Sequence, residues 1–317
     1  MDRYLITGAT GLIGSALVRK LSNEDVEIIC PVRSKTKAQG MFSPEVFDKV
    51  YWVESSLEDF LKEMKGSYDY IIHCASPTAS KYFVDHPVET MLFNITTTTT
   101  LLGYAKEYPI KGIVYLSSLE SYGTVLDDSK AINEDYQGYV NPMEVRSSYN
   151  MAKRMCESLC HAYAEEYKVP VKVVRLTQTI SPYVNEDDMR VFAQFARHAA
   201  NGEDIELHTE GTAARQYIHI DDAVEAILCV LYKGRIGEAY NAAREDTYIS
   251  VRDMAQFVQE NFNPQGKIVY HLRDDMGYAP TTKLKLETSK LEELGWKAKY
   301  GLYDMFKDLI DNLYENI

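Results

Sequence analysis

The 317-residue chain is short of the features that mark membrane, metal or nucleic-acid proteins. It has no apolar run near the roughly 18 residues that a membrane-spanning helix requires, so no membrane span is expected. Cationic charge is scarce. Thirty-four Lys and Arg against 47 Asp and Glu give a formal net charge of −13, which leaves no broad basic face for nucleic acid. The five cysteines, at 30, 74, 156, 160 and 229, lack metal-ligand spacing, and no metal is expected. Cys156 and Cys160 read as reduced thiols near a core, which suits a cytoplasmic location. The first residues already read as a strand of the fold, so no signal or transit segment is expected. No linker, repeat or charged tail interrupts the chain.

Met1 to Gly14 reads MDRYLITGATGLIG, a short apolar run followed by glycines at 8, 11 and 14. That spacing fits a buried strand turning into a helix. Gly8 permits the tight turn, Gly11 lets the backbone approach a pyrophosphate, and Gly14 lets the helix pack close. Thr10, Leu12 and Ile13 fill the same turn and helix start. The free N–H groups at a helix N-terminus attract phosphate, so a dinucleotide is the expected ligand.

Strand-like runs at 2–7, 25–30, 49–53, 69–74, 112–116 and 170–176 alternate with helical patterns at 12–21, 57–64, 86–107 and 147–167. This alternation predicts an α/β fold, a Rossmann-type doubly wound parallel sheet. The threonines at 96–100 stay helical, because Met91, Leu92, Ile95, Leu101 and Leu102 frame them. The second half predicts helices at 188–200, 221–233, 251–261 and 303–316, plus a short one capped by Thr288 or Ser289 and stopping at Gly295. Ser250 and Asp253 form a capping-box pattern before 251. The expected division is a dinucleotide-binding domain of 1–177 with a returning segment 217–245. A smaller mixed α/β C-terminal substrate lobe takes 178–216 and 246–317.

Tyr149 and Lys153 stand four apart on one helical face. A free tyrosine titrates near ~10, and a neighbouring ammonium favours the phenolate, making Tyr149 a candidate base. Ser117, Ser118 and Glu120 follow the fifth strand, whose carboxyl end faces the expected crevice. Ser118 is placed to donate to a substrate oxygen there.

These stretches, in this order, resemble the extended short-chain dehydrogenase/reductase family, specifically its nucleotide-sugar epimerases, dehydratases and decarboxylases. The resemblance covers nearly the whole chain. It adds His73-Cys74-Ala75-Ser76, Asn94, the run Arg215 to Asp222, Gly237 to Asn241, and Thr288 to Trp296. It implies that Tyr149 takes a sugar hydroxyl proton, Lys153 holds the nicotinamide ribose, and Ser118 binds the same sugar oxygen. It also implies that Ser56 and Leu57 contact the adenine, and that Ala75, Ser76, Asn94 and Ser117 line the cofactor groove. Gln178, Arg190 and Arg215 fall on the substrate side, with a nucleotide-diphosphate sugar as substrate. A homodimer through a four-helix bundle of 86–107 and 147–167 is implied as well.

Ala75-Ser76-Pro77, Glu134-Asp135-Tyr136, Val140-Asn141-Pro142 and Arg146 are most similar to the UDP-glucuronate decarboxylase branch. In that chemistry Glu120 is the candidate acid and Arg215 the carboxylate ligand. Leu119 stands where many dehydratases carry aspartate, which counts against dehydration. Three positions depart from the pattern. No carboxylate ends the second strand, and Arg33 and Lys35 follow it, which favours NADP over NAD. Gln178 and Ser181 replace the usual asparagine and glycine, and Asn150-Met151-Ala152 is not a decarboxylase filling. The cofactor is thus NAD or NADP. The alternatives are a self-recycling epimerase or decarboxylase, an NADPH-dependent 4-keto-sugar reductase, or a non-catalytic dinucleotide sensor.

Overall fold

The computed structural model describes residues 1–64, 66–184, 188–273 and 281–315. Six strands come first: β1 (Asp2–Thr7), β2 (Val26–Val32), β3 (Val50–Glu54), β4 (Tyr70–His73), β5 (Gly112–Ser118) and β6 (Val171–Leu176). Four short ones follow, β7 (Gln178–Ile180), β8 (Ile205–Leu207), β9 (Ala214–Arg215) and β10 (Tyr217–His219). The remainder are β11 (Ala239–Ala242), β12 (Ile249–Ser250), β13 (Ile268–Tyr270) and β14 (Lys283–Leu284). The large sheet runs β3-β2-β1-β4-β5-β6-β11, every neighbouring pair parallel.

Residue alternation explains why this sheet is covered on both faces. Tyr4 and Ile6, Ile28, Val114 and Leu116, and Val174 lie in one apolar core. Leu5, Ile29, Ile113 and Tyr115, and Val173 lie in another. On the first face pack α1 (Leu12–Leu21) and a helix at Ile220–Lys233, through Leu17, Val18, Ala223 and Ile227. Between them in the chain come α2 (Lys35–Met41), α3 (Pro44–Phe47), α4 (Leu57–Lys62), α5 (Ser80–Asp85), α6 (Pro87–Glu107), α7 (Ser148–Tyr167) and α8 (Val191–Asn201), so Ile220–Lys233 is α9. Leu61, Leu101, Leu102, Cys156 and Cys160 of α4, α6 and α7 fill the second face. The threonine run lies inside α6, where Thr97 and Thr98 are buried and the Thr97 hydroxyl donates to the Phe93 carbonyl at 2.7 Å.

A third core joins α8 to α10 (Val251–Phe262) and α12 (Leu302–Glu315) through Phe192, Phe195, Met254, Val258, Phe306 and Leu309. Short sheets β10-β7, β12-β9-β14 and β13-β8 edge this mixed region. Between α10 and α12 lies α11 (Ser289–Glu292), whose Leu291, with Trp296 beyond it, packs in the first core. The C-terminal third therefore packs in both the first and the third core.

Some boundaries move. β2 runs to Val32 instead of stopping at Cys30. Beyond Ile29 its ladder partner is β3 alone, so Pro31 sits where a missing donor costs little. Ser250 caps α10 as expected, accepting from the Asp253 N–H at 3.0 Å. Thr288 precedes α11 but donates its hydroxyl to Glu292 at 3.0 Å instead of capping. The expected end of the terminal helix at 316 lies outside the described residues. Among the described residues, no helix is long and apolar enough to cross a membrane.

Candidate active site

The sheet order reverses between β1 and β4, and in a doubly wound sheet the ligand crevice lies beyond the carboxyl ends of the strands at that reversal. Thr7 ties the strands together there. Its hydroxyl lies 2.7 Å from His73 Nδ1 and accepts the Ala75 N–H at 3.2 Å. His73 is buried and its pKa falls to about 3, so the ring is neutral. Gly8 has φ of +71°, and a Cβ there would lie 2.8 Å from the Ala75 nitrogen. A Cβ on Gly14 would lie 2.2 Å from the Gly8 carbonyl oxygen, so α1 presses on the turn that precedes it. Gly11 is exposed, and α1 begins without a side-chain cap or an acid in its first turn. This uncapped, glycine-lined helix start fits a dinucleotide pyrophosphate.

Gly14→Ala is therefore expected to weaken dinucleotide binding and to destabilise the protein by about 1–3 kcal/mol. Thermal unfolding and a dinucleotide titration of the variant test this; an unchanged protein would contradict the packing described.

Along the crevice, the Ser76 hydroxyl donates to Asn94 Oδ1 at 2.9 Å, and Asn94 Nδ2 donates to the Thr90 carbonyl at 2.7 Å. That chain fixes the Ala75-Ser76 loop to α6. Ser56 caps α4, accepting the Asp59 N–H at 3.1 Å, and Leu57 packs on the second core. Arg33 follows β2 directly and is exposed, without an ion-pair partner among the described residues. Sequence reading finds no carboxylate beside it. The register supplies one from the next strand: Glu54 lies opposite Val32 and accepts the Lys35 N–H at 2.9 Å.

Tyr149 and Lys153 lie in the first turns of α7, both buried. Lys153 Nζ donates to the Leu116 carbonyl at 2.8 Å and stands 5.5 Å from the Tyr149 ring centre. Burial lowers the Lys153 pKa to about 8. The expectation that the ammonium makes Tyr149 unusually acidic does not hold in this state. Burial, reinforced by the Glu120 charge, pushes the Tyr149 phenol well up, while the Ser118 and Ser76 hydroxyls favour its ionised form. Desolvation of the phenolate outweighs the cation one helical turn away. Ser118 also accepts the Glu120 N–H at 3.2 Å at the start of a 3₁₀ turn, Leu119–Tyr122.

Glu120 does not stand alone. Arg146, from a second 3₁₀ turn (Val145–Ser147), pairs with its carboxylate at 3.0 Å. Asn150 Nδ2 donates to the Glu120 carbonyl at 2.7 Å. Phe83 of α5 stacks on Tyr149, ring centres 4.2 Å apart and 9° from parallel. Sequence reading gives Arg146 no role and omits Phe83, whose contact spans distant segments.

Behind Tyr149, Ser118 and Glu120 runs a buried network that the sequence did not announce. The Ser117 hydroxyl donates to Glu157, so it is turned to α7 and engaged there. Arg175 of β6 pairs with Glu157 at 2.7 Å and donates to the Tyr122 hydroxyl at 3.0 Å and the Glu134 carbonyl at 2.7 Å. Tyr122 donates to Asn241 Oδ1 at 2.7 Å. Of the residues expected on the substrate side, Gln178 opens β7 opposite Tyr217, and Arg215 ends β9 without an ion-pair partner among the described residues. Arg190 precedes α8 and is held by Asp188 at 3.0 Å.

Comparison with known proteins agrees with this geometry. Residues 4–243 match the model of the NAD dependent epimerase/dehydratase family. The chain is 30% identical over 309 residues to UDP-glucuronic acid decarboxylase 6 of Arabidopsis thaliana, covering 95% of this chain and 85% of that protein. UDP-glucuronic acid decarboxylase 1 of Xenopus tropicalis is 26% identical, covering 93% and 68%. Among solved structures, UDP-glucose 4-epimerase of Thermotoga maritima superposes with a TM-score of 0.85 at 22% identity, over 99% of both chains. UDP-glucuronic acid 4-epimerase of Bacillus cereus, in complex with NAD, gives 0.80 at 20%, again over 99% of both. The glycine turn, the parallel sheet and the buried Tyr149/Lys153 pair thus have one common explanation: this chain belongs to the NAD-dependent epimerase/dehydratase family of nucleotide-sugar enzymes.

Proposed function

We propose that the chain oxidises C4 of the sugar in a nucleotide-diphosphate sugar and returns the hydride within the same turnover, after epimerisation or decarboxylation. The carrying observation is the cluster around Tyr149: a buried phenol flanked by Ser118 and Ser76, with Lys153 one turn on. NAD, when bound, supplies the hydride acceptor and later the donor. Tyr149 accepts the C4 hydroxyl proton as the C–H bond breaks, and Ser118 holds the same oxygen. Lys153, charged below about pH 8, holds the ribose hydroxyls. If the sugar carries a C6 carboxylate, the C4 ketone makes it a β-keto acid. Loss of CO₂ then leaves an enolate that takes up one proton before the ketone is reduced. Glu120 is the proposed group for that proton, and Arg215 the proposed ligand of the carboxylate.

Arg33 favours a second reading. It stands exposed immediately after β2, where a guanidinium suits the 2′-phosphate of NADPH. An NADPH-dependent reductase of a 4-keto nucleotide sugar would use it. Denaturing freshly purified protein and identifying the released nucleotide by mass spectrometry separates the two. NAD⁺ near one per chain supports self-recycling chemistry; NADP(H), or an empty site selective for NADPH, supports the reductase.

The domain division at 177/178 and a cytoplasmic location are retained as part of this reading. A homodimer is also proposed, through α6 and α7, where Val88, Leu92 and Met155 expose more than half their surface. A scattering mass of two chains at micromolar concentration is the expected result; a monomer removes this element.

A further inference from the structure

Arg146 makes contacts that the chemistry above leaves unused. Its guanidinium pairs with Glu120 at 3.0 Å and lies 4.9 Å from the centre of the Phe83 ring, the ring that stacks on Tyr149. Nη1 reaches Asn150 Oδ1 at 3.4 Å, and Asn150 in turn holds the Glu120 backbone. The Ser148 hydroxyl donates to the Phe83 carbonyl at 3.2 Å, binding α5 to the start of α7. Glu120, Phe83 and Tyr149 come from three separate elements, and Arg146 with its turn is the piece common to them.

We propose that Arg146 is a positioning residue: it holds Glu120 by an ion pair and Tyr149 through Phe83, and it balances the Glu120 charge at the Tyr149 hydroxyl. The proposal rests on the reading of Tyr149 as the base. The groups facing Tyr149 are Ser76 after β4, Phe83 of α5, Tyr115 and Ser118 of β5, Glu120, Arg146, and Lys153 of its own helix. Among them Glu120 opposes the phenolate and Arg146 favours it. Without Arg146 the Glu120 carboxylate near Tyr149 loses its ion-pair partner, and the aromatic stack loses its cationic neighbour. Lysine restores charge but not the flat guanidinium over Phe83.

The test compares Arg146→Met, Arg146→Lys and the double variant Arg146→Met/Glu120→Gln with the wild type. UDP-glucuronate and UDP-glucose are the probes, with added NAD⁺, read by NMR of the sugar product across neutral to alkaline pH. Arg146→Met is expected to move the acid-side limb of the kcat profile up by about one pH unit, cutting kcat at neutral pH about tenfold with little change in KM. The double variant is expected to bring the limb back towards the wild-type position, because the unpaired carboxylate charge is gone. Arg146→Lys keeps the limb closer to wild type yet loses turnover. Circular dichroism reports folding; if Arg146→Met does not fold, Arg146→Gln takes its place with the same expected upward shift of the limb. An unmoved limb, or a raised KM at constant kcat, overturns the proposal while leaving Tyr149 as base. A wild type that forms no epimer and no decarboxylated sugar from either probe overturns the underlying reading and the proposal together.

Discussion

Tyr149→Phe is expected to lower turnover by roughly a hundred- to ten-thousand-fold, the range for losing a positioned general base or acid. The ring stays, so the stack on Phe83 and the packing of α7 are kept. Only the hydroxyl beside Ser118 and Ser76 is lost. The bound dinucleotide and the melting temperature should therefore match the wild type. Turnover by rapid quench and nucleotide content after denaturation check both halves. A fully active variant would remove Tyr149 from the chemistry. The high resting phenol pKa also carries a sign. In the substrate-free protein the phenol keeps its proton near neutrality, because burial dominates. The base form must then be favoured by what enters the crevice, and turnover is expected to rise with pH on the acid side.

The largest stability effect is expected at Glu157. Its carboxylate and the Arg175 guanidinium keep only 12% and 10% of their surface exposed. Removing one partner strands the other charge, which typically costs about 3–5 kcal/mol. Glu157→Ala loses the Arg175 pair and the Ser117 hydrogen bond together. A fall in melting temperature on the order of ten degrees follows. Lys62→Ala breaks an exposed pair with Asp59 and serves as the control, with a change within about 0.5 kcal/mol. Because Ser117 neighbours Ser118 on β5, activity is expected to fall along with stability. Equal melting temperatures for the two variants would contradict the network.

The elements that the sequence discloses are those whose signal is local. The strand from Asp2 to Thr7 and the turn Gly8 to Gly14 are readable because each glycine answers a steric demand within a few residues, and the structure shows the crowding at Gly8 and Gly14 directly. The i, i+4 spacing of Tyr149 and Lys153 is likewise local. Strands β7, β8, β9, β10, β12, β13 and β14 are two or three residues long, too short for alternation to register. They exist because partners arrive from elsewhere, as Ile205 to Leu207 pairs with Ile268 to Tyr270. The same applies to Arg146 with Glu120, Arg175 with Glu157, and Glu54 of β3 opposite the end of β2. Each contact joins residues that only the sheet order brings together. The raised Tyr149 pKa is hidden from the sequence for a related reason. Helical spacing reveals the neighbouring cation, whereas the desolvation that outweighs it comes from the whole surrounding fold.

The most direct measurement uses UDP-glucuronate deuterated at C4, incubated with the purified protein without added cofactor or reductant. The account predicts a product, epimer or decarboxylated sugar, that retains deuterium at C4, because the hydride leaves and returns within one turnover. A product that has lost the C4 deuterium, or no product from this substrate, would contradict it.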